Sequence, residues 1–213
     1  MSRTTYRINN RHFEVWRGWY FHTPKPEPEI PYDVQLISLR LADALPPETL
    51  EQMNVDALMI QPADRVLFKR QRTEEILDAQ HGCCALKNPE LARAVLDVLE
   101  DQHAKKYKLI AWCILPNQLH VLIEPCFPVG RIIQDWRVLT TRWAVQNNDA
   151  LGLGVNGKRL WLKRCQDRYI PDNKQLAEAI QVLQQSPVRA GLCDQPEDWR
   201  WSSAYSGKRN KSP

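Results

Sequence analysis

Two polar residues in a β-rich stretch have the spacing of a paired ligand site. Gln118 and His120 lie two positions apart in the apolar run that follows Pro116-Asn117. Residues two apart on a strand point to the same face of the sheet, so both side chains can reach one ligand. A glutamine amide oxygen binds Mg²⁺ weakly. The pair therefore indicates a weak metal site or, alternatively, a strand histidine that is hydrogen-bonded at a helix–sheet interface.

A second group of possible ligands is His81 with the adjacent thiols Cys83 and Cys84. Structural zinc sites need a second pair of ligands at a matching spacing, and the sequence has none, so we expect buried or idle thiols here. The six cysteines are irregularly spaced in a chain long enough for one good core. This usage suits a reducing compartment, and we expect free thiols.

Positive charge is concentrated in three segments, although the net charge is only +4. Residues 26–80 are net acidic by contrast. A fold that brings the basic segments to one side would create a phosphate-binding face, and the alternative is that these are ordinary solvated charges. The basic segments contain Arg3, Arg7, Arg11, Arg17 and Lys25, then Lys158, Arg159, Lys163, Arg164 and Arg168, and finally Lys208, Arg209 and Lys211.

The length of 213 residues predicts one domain with appendages. We see neither an apolar run long enough to span a membrane nor a secretory signal, so we expect a cytoplasmic protein. Strands and helices alternate around a β-hairpin, which indicates an α+β fold with an antiparallel sheet covered by helices.

In chain order we predict a basic and aromatic arm with a proline-rich linker (1–31), a strand (32–41), a helix starting at Pro46-Pro47 and a helical segment (64–80). We then predict a helix capped by Asn88, a hairpin (107–115 and 118–124), a helix (129–146), a flexible loop (148–157), a helix from Asp172 that Pro187 stops, and a basic tail (206–213).

Four ordered stretches of the chain resemble a known family. The stretch Ala111-Trp112-Cys113-Ile114-Leu115-Pro116-Asn117-Gln118-Leu119-His120 is similar to the metal-binding motif of the single-tyrosine (Y1, HUH) transposases, within their IS200-like, REP-associated group. The other three similar stretches are 39–46, 167–192 and 196–204. The resemblance covers roughly residues 32–205 and implies a transposase-like DNA-binding domain with a ferredoxin-like antiparallel sheet and helices packed on it.

The resemblance also implies which residues should perform the chemistry. In the family, two histidines and an asparagine hold Mg²⁺ or Mn²⁺, and a helix tyrosine attacks the DNA phosphate. At those positions this chain has Gln118 for the first histidine, Val182 for the tyrosine and Ser186 for the asparagine, and it retains His120. Tyr169 is the nearest candidate for a relocated nucleophile, although its ring is also suited to packing.

Three functions follow as hypotheses. The first is a catalytically inactive transposase-like protein that binds single-stranded or hairpin DNA, as a monomer or homodimer, without a cofactor. The second is an active transposase that uses Gln118, His120 and Tyr169 with Mg²⁺ or Mn²⁺. The third is an accessory protein that binds a protein partner through residues 48–80. For the first we expect DNA contacts from Arg3, Arg7, Arg11, Trp16, Lys158, Arg159, Lys163 and Arg164, while Trp16 and Trp19 could instead anchor the arm.

Overall fold

The computed structural model describes residues 2–8, 11–17, 34–163 and 165–207, and in the first two ranges only the backbone. Within these ranges the strands are β1 (Ser2–Ile8), β2 (Arg11–Arg17), β3 (Gln35–Arg40), β4 (Tyr107–Leu115), β5 (Gln118–Pro125) and β6 (Gln166–Tyr169). The α-helices are α1 (Pro47–Leu58), α2 (Arg65–Asp78), α3 (Pro89–Gln102), α4 (Val129–Leu151) and α5 (Asn173–Arg189).

Four strands form an antiparallel sheet in the order β4-β5-β3-β6. This sheet, with helices packed on it, confirms the α+β fold class. The predicted hairpin is present as β4 and β5, joined at Pro116-Asn117. Asn117 is buried there, and its side-chain amide donates to the carbonyl oxygen of Leu77 over 2.9 Å. The hairpin turn is therefore held against the end of α2.

The two faces of the sheet contact different helices. On one face, Ile37, Leu39 and Val121 are buried in the main core together with side chains of α3 and α4. On the other face, Leu36 and Leu122 belong to a smaller core that includes side chains of α5. Because strand side chains alternate, every second residue of β3 and β5 lies on the α5 face.

Local signals locate most helix ends, with two exceptions. Asn88 caps α3 as predicted, since its side chain accepts from the backbone N–H groups of Glu90 and Leu91. The predicted end of α4 near residue 146 is wrong, because the helix continues to Leu151 and ends at Gly152 in the left-handed conformation. The prediction that Pro187 stops α5 is also wrong. Pro187 lies inside the last turn, where the helix ends two residues later at Arg189.

The N-terminal arm contains a β-hairpin, which the sequence patterns did not predict. β1 and β2 pair antiparallel in a separate two-stranded sheet, with Arg3 opposite Trp16 and Arg7 opposite His12. The side chains of this hairpin, the predicted linker and the basic tail from residue 208 lie outside the described residues.

Two composition-based expectations can be compared with the structure. All six cysteines lie in the described ranges and are free thiols. Across the described ranges, no helix has the length and apolar character needed to cross a membrane.

The buried pair Tyr107 and Trp136 joins the sheet to α4, and it predicts the effect of one substitution. The Tyr107 hydroxyl donates to the Leu99 carbonyl over 2.8 Å and accepts from Trp136 Nε1 over 3.0 Å. Tyr107→Phe leaves both partners unsatisfied in the core, so we expect a loss of about 1–3 kcal/mol of unfolding free energy in urea titrations. The matched substitution at an exposed tyrosine, Tyr205→Phe, should change stability by less than about 0.5 kcal/mol. Equal effects of the two substitutions would contradict this role.

Candidate functional site

A polar cluster that includes the buried Gln118 and His120 lies on the α5 face of the sheet, where β3 and β5 pair. The register places Ser38 opposite His120 and Arg40 opposite Gln118. On the next strand Gln166 is opposite Ser38, and its Oε1 accepts from Arg40 Nη2 over 2.7 Å. We call Ser38, Arg40, Gln118, His120 and Gln166 the polar cluster. The sequence-based expectation that Gln118 and His120 share one face of a strand is therefore consistent with the register.

His120 is buried and held as a neutral imidazole. Its Nδ1 lies 2.7 Å from Ser38 Oγ, while its Nε2 is buried without a hydrogen-bond partner among the described residues. Burial, together with the positive charges of Arg189 and Arg40, lowers the pKa of His120 to about 3. The imidazole can therefore accept a hydrogen bond or a ligand without first losing a proton at neutral pH.

Gln118 is the second cluster residue with an unsatisfied group. Its side chain is 1% exposed, and its Oε1 lacks a hydrogen-bond partner within the described ranges. A buried acceptor without a partner costs roughly 1–3 kcal/mol, which is uncommon in native structures outside functional or water-filled sites. Gln118 Oε1 and His120 Nε2 both lack a partner and belong to residues two apart on one strand. This point of the sheet is therefore unusual.

Ion pairs between α2, β3 and α5 close one side of the cluster. Arg189 Nε contacts Asp78 Oδ2 over 2.8 Å, and its Nη2 contacts Glu74 Oε2 over 3.2 Å. Glu74 also lies 3.5 Å from Arg40 Nη2. Burial raises the pKa of Glu74, and the two arginines oppose that rise. The carboxylates of Glu74 and Asp78 are therefore committed to arginines.

The residues of the cluster do not fit a divalent cation. Mg²⁺ and Mn²⁺ prefer carboxylate and other oxygen ligands, whereas the cluster supplies one amide oxygen and one imidazole. No group of three or more His, Cys, Asp or Glu residues with metal-binding geometry occurs in the part of the chain that the structure describes. The arginines whose charge lowers the pKa of His120 would also repel a cation there. We therefore derive no step that uses a metal.

The positions that align with the family's remaining catalytic residues lie on α5. Val182 is partly buried, and its carbonyl oxygen accepts a 3.0 Å hydrogen bond from the Ser186 hydroxyl. The Ser186 hydroxyl is thus used within the helix. Tyr169 pairs with Gln35 at the end of β6, whereas Ser38, three residues further along β3, pairs with Gln166. Since side chains alternate along a strand, Tyr169 lies on the sheet face opposite to His120.

A basic groove runs between α4 and the segment that precedes β6. Its volume is about 600 Å³, and it is open to solvent along the helix. Apolar side chains form part of its wall, including the exposed Val138 and Val145. We define the basic groove by its five cationic residues: Arg137, Arg142, Lys158, Arg159 and Lys163.

Hydrogen bonds fix the segment that forms the second wall of the basic groove. Arg137 donates to the carbonyl oxygens of Lys163 and Leu162 over 2.8 and 2.6 Å. Trp161 is buried, and its indole N–H donates to Thr140 Oγ1 over 2.8 Å. The backbone N–H of Leu162 donates to the Arg40 carbonyl oxygen over 2.8 Å. The groove therefore borders the same strand end that carries the polar cluster.

The structure brings together three of the residues proposed from the sequence as DNA contacts. Lys158, Arg159 and Lys163 all line the basic groove. Sequence reasoning missed Arg137 and Arg142, although their positions among exposed apolar residues of a predicted helix were a weak signal. The side chains of Arg3, Arg7, Arg11, Trp16, Trp19 and Arg164 lie outside the described residues.

The remaining metal hypothesis, at His81, Cys83 and Cys84, is not supported by the contacts of these residues. The backbone N–H of Cys83 donates to Asp43 Oδ2 over 2.7 Å, and the Cys84 thiol contacts the Gln80 carbonyl oxygen. Burial raises the pKa of Cys83 to about 11. Both thiols therefore remain protonated and serve local packing.

Comparisons with known proteins find similarity to solved structures, of which one is described here. No protein-family model matches the chain, and no curated protein matches it. Among solved structures, the chain is similar to one described as "Structure of the REP associates tyrosine transposase bound to a REP hairpin", with 16% identity and a TM-score of 0.46. The match covers 85% of this chain and 82% of that chain. An identity and a TM-score this low do not assign the chain to a family.

The low pKa of His120 predicts how stability depends on pH. In the unfolded chain the imidazole has a pKa near 6.5, whereas in the folded protein it is about 3. Between these values the unfolded state binds one proton more, so stability falls as pH falls through this window. His120→Gln removes this proton uptake, and its unfolding free energy should decline less steeply from pH 6.5 to 4, by up to about 1 kcal/mol per pH unit. Parallel curves for the two proteins in urea titrations would contradict a buried neutral imidazole.

Proposed function

We propose that this protein binds single-stranded or hairpin DNA and does not cleave it. The observation that carries the proposal is the basic groove, in which five cations from two separate parts of the chain line one concave surface. Such a surface attracts the phosphate backbone and releases its counterions on binding. The DNA partner is further suggested by the motif resemblance to the single-tyrosine transposases.

The composition of the groove favours a flexible nucleic-acid strand. Proteins that bind single strands combine a positively charged channel with apolar or aromatic side chains. Here exposed Val138 and Val145 lie on α4 together with Arg137 and Arg142, and Lys158, Arg159 and Lys163 come from the other wall of the groove. Within the groove lining of the described residues there is no acidic side chain. The positive charges of the groove are therefore not offset by a carboxylate within this lining.

The absence of cleavage follows from the chemistry of the residues at the catalytic positions. A covalent phosphotyrosine intermediate requires a side-chain oxygen, and Val182 has none. The alternative nucleophile, Tyr169, lies on the opposite sheet face from His120. Arg40 and Arg189 lower the pKa of His120 and would oppose a cation beside it. These features support DNA binding without strand transfer.

Charge reversal in the groove tests the proposed binding. We expect the double variant Arg142→Glu/Lys158→Glu to bind a DNA hairpin at least about tenfold more weakly in fluorescence anisotropy at low salt. The dependence of log affinity on log salt should also become shallower, by roughly 0.7 to 0.9 for each phosphate contact that is lost.

Two exposed residues outside the groove provide a matched control. Arg131 lies in the first turn of α4, and Lys108 lies on β4. Arg131→Glu/Lys108→Glu changes the net charge by the same amount, so a similar loss of affinity would show only a non-specific charge effect. No measurable hairpin binding by the unmodified protein at micromolar concentration would refute the proposal.

A covalent-adduct assay tests the proposed lack of cleavage. The protein is incubated with labelled single-stranded DNA and Mg²⁺ or Mn²⁺ and then analysed by denaturing electrophoresis. We expect no protein–DNA adduct, because neither Val182 nor the position of Tyr169 supplies a suitable nucleophile. An adduct that Tyr169→Phe abolishes would instead establish the active transposase.

A protein partner is a second candidate function, favoured by one observation. The tip of the α1–α2 hairpin exposes four apolar side chains: Val55, Leu58, Met59 and Val66. Contiguous exposed apolar residues are common at protein–protein contacts. Copurification of a protein that Leu58→Glu/Met59→Glu releases, without any DNA binding, would favour this function over the first.

A further inference from the structure

A second concave site, the aromatic pocket, lies at the opposite edge of the sheet from the basic groove. Its volume is about 300 Å³. The side chains that matter here come from α3, from the edge strand β4 and from the segment after Trp199. They are Arg93, Trp112, Arg200, Trp201 and Tyr205.

Backbone pairing holds the C-terminal part of the pocket against the sheet. The N–H of Ser203 donates to the Trp112 carbonyl oxygen over 2.9 Å, and the N–H of Trp112 donates to Ser203 Oγ over 3.2 Å. Two residues further along β4, the N–H of Ile114 donates to the Trp201 carbonyl oxygen over 2.8 Å. The segment thus covers the edge of β4 and fixes the backbone from which the aromatic rings project.

The aromatic rings of the pocket differ from the structural tryptophans in their hydrogen bonding. Trp112 and Trp201 are partly exposed, Tyr205 is 42% exposed, and their indole N–H and hydroxyl groups have no hydrogen-bond partner within the described ranges. By contrast, the indole N–H groups of Trp136, Trp161 and Trp199 all donate to protein oxygens. The pocket therefore presents ring surface and donors that the fold itself does not use.

Two arginines give the pocket its positive character and a further stacking surface. The Arg200 guanidinium lies 5.0 Å from the centroid of the Trp201 ring. A guanidinium held over an aromatic ring offers its outer plane to a base. Arg93 forms solvent-exposed ion pairs with Asp97 and Glu100, so its charge is partly offset. A flat, uncharged ligand with a polar edge suits this lining better than a cation does.

We propose that the aromatic pocket holds an unpaired nucleobase of the DNA whose backbone lies in the basic groove. This inference rests on the proposed function. The pocket borders β4 at one edge of the sheet, and the groove wall is hydrogen-bonded to the end of β3 through Leu162. Both sites also adjoin the layer formed by α3 and α4, since α3 lines the pocket and α4 lines the groove. In this proposal the single-stranded flank of a hairpin follows this layer from the groove to the pocket, where the base stacks without sequence selection by hydrogen bonds.

The test compares one hairpin with and without a single-stranded flank of a few nucleotides. We expect the flank to strengthen binding by the unmodified protein by about tenfold, as stacking of one base does elsewhere. A 2-aminopurine in the flank should lose fluorescence on binding. Tyr205→Ala should abolish both effects, while Tyr205→Phe, which keeps the ring, should retain them. Trp112→Leu serves as a second pocket variant, with its folding checked by circular dichroism.

The outcomes separate this inference from the proposed function. If the flank strengthens binding equally in Tyr205→Ala and in a folded Trp112→Leu, the pocket does not hold a base, although the groove still binds the hairpin. If the flank has no effect on the unmodified protein, the inference is equally refuted. Failure of the unmodified protein to bind even the hairpin without a flank refutes the proposed function and this inference with it.

Discussion

The antiparallel pairing of β3 with β5 is the constraint on which both the polar cluster and the basic groove depend. Its register sets Ser38 opposite His120 and Arg40 opposite Gln118. A shift by one residue would turn these side chains into the apolar core beneath α3 and α4. The same strand end accepts the hydrogen bond from Leu162, which fixes the wall of the groove. One backbone register thus positions a buried polar site and an exposed cationic one.

The polar cluster carries a cost in stability that the rest of the core offsets. Apolar residues at the positions of Gln118 and His120 would remove two buried unsatisfied polar atoms, each costing roughly 1–3 kcal/mol. Proteins usually retain such local violations where a site has or had a function. The extensive core on the opposite sheet face, which includes Trp136 and Leu99, makes this cost tolerable. The two unpartnered atoms of the cluster are therefore not explained by packing alone.

The sequence was informative where the determinants are local and uninformative where they are tertiary. The hairpin at Pro116-Asn117 and the cap at Asn88 depend on neighbouring residues, and both were predictable. Pro187 misled the prediction because a proline in the last turn disrupts few hydrogen bonds. The partners of Arg189 on α2 are more than a hundred residues away in the chain, and no periodicity reveals such ion pairs. Arg137 and Arg142 likewise could be assigned to a basic groove only after the fold had placed them beside Lys158.

DNA binding and DNA cleavage place unequal demands on a protein of this fold. Binding draws on several surface cations whose contributions are roughly additive, so the loss of any one weakens it gradually. Cleavage through a covalent intermediate requires a nucleophilic side-chain oxygen at one point, so a single substitution can remove it completely. The groove and the cluster share the strand end at Arg40 but have no side chain in common. Substitutions in the cluster can therefore leave the cationic lining of the groove intact.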